Sequence, residues 1–218
     1  MFQTTLSLLS DATLATLGMV FVSGVVTLLG GLPLGTLLYA TRRHHLLANP
    51  TLWWVLTVIV DITRSVPFVI LMVAVTPLTR LLTGTSIGTV AAMVPLSLCA
   101  IPFFARVTEN ALLEVHSGLI EAAHAMGATG WQIIRKVLLP EAAAGLINGM
   151  TLTLINLTGY SAMAGAIGGG GLGDVAIRYG YQRFDTQVLL LTIAIMIVLV
   201  QGIQFTGDTL VKRYSQLK

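Results

Sequence analysis

Charge is scarce in this sequence. Of 218 residues only 10% are Asp, Glu, Lys or Arg, against 55% hydrophobic, and the mean hydropathy is +0.87. A soluble domain carries about a quarter of its residues as charges, so a water-exposed globule is excluded and a bilayer is the expected solvent. Cysteine is nearly absent: Cys99 alone cannot form an intrachain disulfide or a multi-thiolate metal site, and within an apolar run it reads as a small buried residue. The lysines follow Arg135, Val211 and Leu217, so the Gly-Lys-Ser/Thr loop that cradles nucleotide phosphates is missing. Gly168, Gly170 and Gly173 match the spacing of a dinucleotide-binding turn, but they end an apolar run where that fold would join a strand to a helix. No Ser, His and Asp share a context for nucleophilic catalysis, and the chain does not read as an enzyme. The net charge of +3 sits in short polar segments and gives no ground for nucleic-acid binding.

What is abundant is uncharged sequence. Runs without charge cover 12–40, 65–79, 81–105, 142–173 and 186–207, and a spanning helix needs about 20 such residues. The expected fold is an all-α integral membrane protein of five transmembrane helices. For the second, Trp53 to Ile62 reads as an interfacial lead-in with two Trp at headgroup depth, followed by a span from about Ser65 to Leu82. Splitting that region to give six spans is the less favoured count. With the N-terminus outside and the C-terminus cytoplasmic, Arg42, Arg43, Arg64, Arg106, Arg135, Lys136, Lys212, Arg213 and Lys218 fall inside and only Arg80, Arg178 and Arg183 outside. That is the asymmetry the positive-inside rule requires. The start Met1-Phe2-Gln3 carries no basic side chain, so the first run is expected to remain as a span.

A polar, well-punctuated island interrupts this pattern. Gly118 to Met126 reads as a short Ala-rich helix ended by Gly127 as a left-handed cap. After a turn, Thr129 caps a second helix with Gln132 three residues on, the spacing of a capping box. Trp131, Ile134 and Leu138 recur on one face while Gln132, Arg135 and Lys136 point elsewhere, and Pro140 closes the unit. The result is a cytoplasmic helix-turn-helix knob within about 114–140. Glu121 and His124 have the spacing of some bundle metal sites, but a single copy without further inward carboxylates reads as a solvated helix face. His44, His45 and His116 sit in the polar connections.

The spacing Glu121-Ala122-Ala123, Gly127, then Val137-Leu138-Leu139-Pro140 resembles the coupling loop of ABC-importer permeases, with Val137 where Ile is usual. Arg64-Ser65-Val66-Pro67-Phe68, Glu109-Asn110-Ala111-Leu112-Leu113-Glu114, and Tyr160-Ser161-Ala162-Met163 through Gly171-Leu172-Gly173 are similar to the methionine-importer permeases, and the resemblance covers nearly the whole chain. It implies one permease domain over 1–218, in a bacterial inner membrane, assembled as a homodimer. It implies a cytoplasmic ATPase dimer that binds ATP and Mg, docked at Glu121, Ala122, Ala123, Gly127, Leu139 and Pro140. An outside binding protein, periplasmic or lipid-anchored, would deliver methionine; this chain would hold no cofactor.

The spans carry their own signals. Gly31, Pro33 and Gly35 in the first, and Gly145 and Gly149 in the fourth, suit close helix packing, with Pro33 a kink. In the fourth span Gly149, Thr153, Asn156, Tyr160 and Met163 fall within about 80° of one another. Asn156 and Tyr160 are costly against hydrocarbon, so this stripe faces other helices or a substrate path for a small amphipathic solute. Pro95 and Pro102 free carbonyls in the third span, Gln201, Gln204 and Asp208 share a face of the fifth, and Gly168 to Gly171 reads as a loop at the outer mouth. Three other readings stand beside a methionine permease: a permease for another small amino acid, a non-transporting scaffold, and an ion-coupled carrier. Against the carrier, spans one, three, four and five show no internal carboxylate.

Overall fold

Long apolar runs without cap signals become long helices, and the described residues hold three. In the computed structural model, which describes residues 2–43 and 45–216, α1 spans Phe2–Thr41, α5 spans Thr89–Leu113 and α11 spans Thr186–Gln216. All three are long and apolar enough to cross a bilayer. The readings made above on Met1, His44 and Lys218 fall outside the described residues. Two further pairs qualify only as bent units: α2 (Pro50–Ser65) with α3 (Phe68–Ala74), bent by 104°, and 130–141 with 143–169, bent by 68°. The expected five spans are reached when each bent pair counts as one.

The second region departs from expectation. Its supposed interfacial lead-in is the long arm, since α2 runs on through Asp61 and Arg64. Its supposed span, 65–82, is two short pieces, α3 and α4 (Thr76–Thr83), joined at Val75. The cause is local: Pro67 forces Val66 into an extended conformation, ψ 124°, which a helix cannot accommodate. Asn49 starts α2 by accepting from the Leu52 amide at 3.1 Å.

Packing is densest between α1 and α5, where Gly31 lies against the Ile101 carbonyl and Phe104, and Gly35 against Ala105 and Thr108. Glycines at these positions let the two backbones approach as no larger residue would. α1 continues unbroken through Pro33. α9 (Ala143–Ala164) crosses the same layer, with Gly145 on Ala111 and Gly149 on Val107. The central core is Met19, Val20, Phe68, Ala92, Leu96, Ala100, Leu157 and Ala164. α11 lies outermost, with only 11% of its most apolar stretch buried, and Gly207 seats it on Thr151 of α9.

α9 does not end in a loose loop. A wide turn over Gly165–Gly169 leads to α10 (Gly171–Val175), which folds back on α9: Gly173 lies against the Ala162 backbone and Gly165 against that of Asp174. The Thr16 hydroxyl of α1 accepts from the Leu172 amide at 2.9 Å. The expected outer loop is therefore a packed corner with α1 in its seam.

Candidate functional site

The island between α5 and α9 folds as two short helices and a turn, and each boundary has a local cause. α6 (Ser117–Ala125) begins where His116 Nδ1 accepts from the Gly118 amide at 3.2 Å. It ends in a Schellman motif: the Ala128 amide donates to the Ala123 carbonyl at 3.0 Å and the Gly127 amide to that of His124 at 2.9 Å, with Gly127 at φ +80°. The capping box at α7 (Gly130–Ile133) is complete, the Thr129 amide donating to Gln132 Oε1 at 2.8 Å and the Gln132 amide to Thr129 Oγ1 at 3.4 Å. A wide π turn over Ile134–Leu138 follows, in which the Leu139 amide reaches back five residues to Ile134. Pro140 explains it: having no N–H, it cannot extend the ordinary register. Pro140 does not stop the helix, however, because α8 runs over Leu139–Glu141 and the 68° bend falls at Ala142.

The unit is fastened to the bundle on one side. Ala123, Ile133, Ile134 and Leu138 are buried with Tyr39 and Ala40 of α1 and Ala111 and Leu112 of α5. Tyr214, near the end of α11, donates its hydroxyl to the Pro140 carbonyl at 2.7 Å. The apolar stripe is Ile133, Ile134 and Leu138; Trp131, expected in it, points outward at 67% exposure, as does Met126 at 82%. Glu121, Ala122, Gly127 and Pro140 are exposed, Leu139 is half-buried, and Ala123 alone of the expected docking residues belongs to the core. Glu121 and His124 stand in solvent, and no group of three metal-ligating side chains gathers among the described residues.

The stripe on α9 divides. Gly149 and Thr153 are buried towards α5, and the Thr153 hydroxyl bonds back to the Gly149 carbonyl at 2.7 Å, which satisfies it within its own helix. Tyr160 is half-buried and stacks on Phe68 of α3, ring centroids 4.9 Å apart. Asn156 and Met163 lie on an open face with Asn148, Leu152 and Gly159. Leu157 and Ala164 remain buried with Ala92, Leu96 and Ala100 of α5, so the stripe straddles the border between the packed face of α9 and its open one.

Sequence reasoning missed a charge cluster. α5 extends eight residues past the end expected for the third span, which brings Arg106 and Glu109 inside the helix. Glu109 is buried, its side chain 2% exposed, with Arg106 Nη1 at 2.6 Å, Trp53 Nε1 donating at 3.4 Å and Arg42 at 4.0 Å. The absence of an internal carboxylate, argued above for that span, does not hold. Arg106 and Glu109 one helical turn apart beside an apolar run were the available signal.

Known proteins place this architecture. Residues 31–215 match the family model described as the inner membrane component of binding-protein-dependent transport systems. The chain belongs to that family. It is a membrane transport component, which agrees with the reading that it is no enzyme. A probable D-methionine transport system permease protein of Vibrio cholerae is 56% identical over 94% of this chain and 92% of its own length. The D-methionine transport system permease protein of Escherichia coli K12 is 58% identical over 69% of each chain. Among solved structures, a chain of the MetNI methionine ABC transporter in an inward-facing conformation superposes with TM-score 0.96 at 50% identity, over 98% of this permease and 99% of that chain. An amino acid ABC transporter crystallised with histidines shares the fold at TM-score 0.80 and 17% identity.

Proposed function

We propose that two copies of this permease form the membrane pathway of an ATP-driven importer of methionine, in a bacterial inner membrane. The α6–α8 unit, carrying Glu121, Ala122, Ala123, Gly127, Leu139 and Pro140, is the coupling knob that docks on a cytoplasmic ATPase dimer. The observation that carries this is the knob's two-sidedness: one face is fused into the ends of α1 and α5, while Met126 and Trp131 project beyond it. Large apolar side chains on a locally rigid exposed unit are what a protein partner covers. ATP and Mg belong to that partner. A binding protein, periplasmic or lipid-anchored, delivers substrate at the opposite side, with the N-terminus outside and the C-terminus cytoplasmic.

The open face of α9 supports the pairing. Asn148, Asn156 and Gly159 form a polar, small-residue strip among apolar neighbours, which hydrocarbon would penalise and a second copy across a two-fold axis would cover. Asn156, Tyr160 and Met163 then line a central path for an amphipathic thioether amino acid. The names of the Vibrio and Escherichia relatives and the transporter with the 0.96 superposition support methionine as the substrate. Transport follows alternating access: closure of the ATPase pair draws the two knobs together, and rigid-body rocking of the spans turns the path from one side to the other.

Reconstitution of the permease with its ATPase and binding protein in liposomes tests this by ATP-dependent uptake of labelled methionine. Uptake suppressed by excess unlabelled methionine but not by glutamine or histidine is the expected result. Glu121→Arg and Gly127→Pro should leave membrane insertion intact and separate ATP hydrolysis from uptake. Proline cannot adopt the φ of +80° that Gly127 holds. Met163→Ala should change apparent substrate affinity with assembly retained; unaltered uptake kinetics would assign Met163 to packing.

A further inference from the structure

The charge cluster joins three helices at the end of the bundle where the α6–α8 unit is attached. One guanidinium, Arg106, forks between two carboxylates: Nη1 to Glu109 Oε2 of its own helix at 2.6 Å and Nη2 to Asp61 Oδ1 of α2 at 2.8 Å. The two arms differ in environment. Glu109 is sealed from water, so its arm cannot open without stranding a buried charge. Asp61 is 52% exposed, and an ion pair at such a site contributes little and opens readily. Arg64, on α2 itself, stands at 3.7 Å from the same Asp61 oxygen. Asp61 therefore already holds a second, longer ion pair on its own helix, from an Arg64 whose guanidinium also lies over Phe103 of α5, and that pair remains to tighten when Arg106 withdraws.

The positions on either side give that exchange a consequence. Beyond Glu109, α5 carries Ala111 and Leu112 into the core that holds Ala123, Ile133 and Leu138 of the α6–α8 unit. Beyond Asp61, α2 reaches the Val66–Pro67 break and then Phe68, which stacks on Tyr160. An apolar contact would hold α2 on α5 at least as firmly as a charge pair. A carboxylate within reach of two guanidiniums on different helices adds two discrete ion pairs between which α2 can exchange.

We propose that Asp61 and Arg106 are positioning residues of the transport cycle, a latch in which Asp61 passes from Arg106 on α5 to Arg64 on α2 and so relays movement of the α6–α8 unit to Phe68 and Tyr160. This rests on the coupling role of that unit. Arg106 stays fixed to Glu109 throughout, and α2 moves.

The test uses the complete reconstituted transporter and reads ATP hydrolysed per methionine imported. Asp61→Asn removes the charge that holds the latch and leaves the buried Arg106–Glu109 pair intact. It should raise that ratio about fivefold or more, the lower end of inter-site coupling, with the ATPase still co-purifying. Asp61→Glu, which keeps the carboxylate, should restore the ratio. Arg64→Gln removes the alternative partner and should slow uptake while leaving the ratio low. An unchanged ratio in Asp61→Asn overturns the latch. Glu121→Arg run beside it separates the causes: if it uncouples while Asp61→Asn does not, the relay alone fails; if neither does, the coupling reading fails with it.

Discussion

Two of the turns that bring one helix back on another through glycines of positive φ, at Gly127 and at the α9–α10 corner, are held by opposite means. At Gly127 the reversal is secured by residues within a few positions of it: the Schellman pair, then the Thr129–Gln132 capping box. Space around Gly127 is open, with nothing within 4 Å of a side chain added there. At the α9–α10 corner the glycines are held by distant parts of the chain. A side chain on Gly173 would strike the Ala162 backbone, and one on Gly171 would meet the Thr16 hydroxyl at 2.6 Å and the Met19 methyl at 2.8 Å. The first turn is a knob that keeps its shape by itself and offers its outer surface to something else. The second is a seam of the bundle, with Gly165, Gly169, Gly171 and Gly173 buried in it.

The contrast orders the effects of mutation. Gly173→Leu should be the most damaging, because backbone, not a flexible side chain, lies in the way. A cost above about 4 kcal/mol is expected, seen as loss of a monodisperse peak in detergent. Recovery of stable protein would show that α10 can detach from α9 and that the corner is looser than described. Thr16→Val keeps the shape but strands the buried Leu172 amide, at about 1–3 kcal/mol; the thermal midpoint should fall and methionine uptake with it. Gly127→Ala meets only the left-handed backbone penalty of about 1–2 kcal/mol. Its signature should be functional, a higher ratio of ATP hydrolysed to methionine imported at nearly unchanged thermal midpoint. The smallest effect is expected from Thr129→Ala, about 1 kcal/mol from a lost cap, detected as faster proteolysis between α6 and α7 without loss of the bundle. If the last two variants melt the whole bundle, the knob is not the self-contained unit that its hydrogen bonds describe.

The same division explains what could be read before the structure. The boundaries of α6, the start of α7 and the caps at Gly127 and Thr129 were legible to within a residue, since every group that makes them is nearby in the chain. So was the use of Gly31, Gly35, Gly145 and Gly149 in helix contacts. The placement of Trp131 was not: a helical stripe names a set of residues, but which side of it meets the bundle depends on where α1 and α5 end. The stripe on α9 failed as a single face for a related reason. Thr153 and Asn156 stand about 60° apart around the axis, and only the position of α5 decides that the border between packed and open faces falls between them. Arg106 and Glu109 were set outside the third span by an ending drawn at the first charge, though a buried ion pair allowed the helix to continue.

By itself the sequence determined a membrane solvent, a helical chain interrupted in the glycine run, a knob with local caps and a family. Hydropathy, proline and short-range hydrogen bonding act over a few residues and need no distant partner. Only the tertiary structure decided that the glycine run is a packed corner against Thr16 and that Arg106 joins Asp61 to Glu109 across two helices. Each of these rests on atoms far apart in the chain, whose meeting is set by how closely the helices can approach.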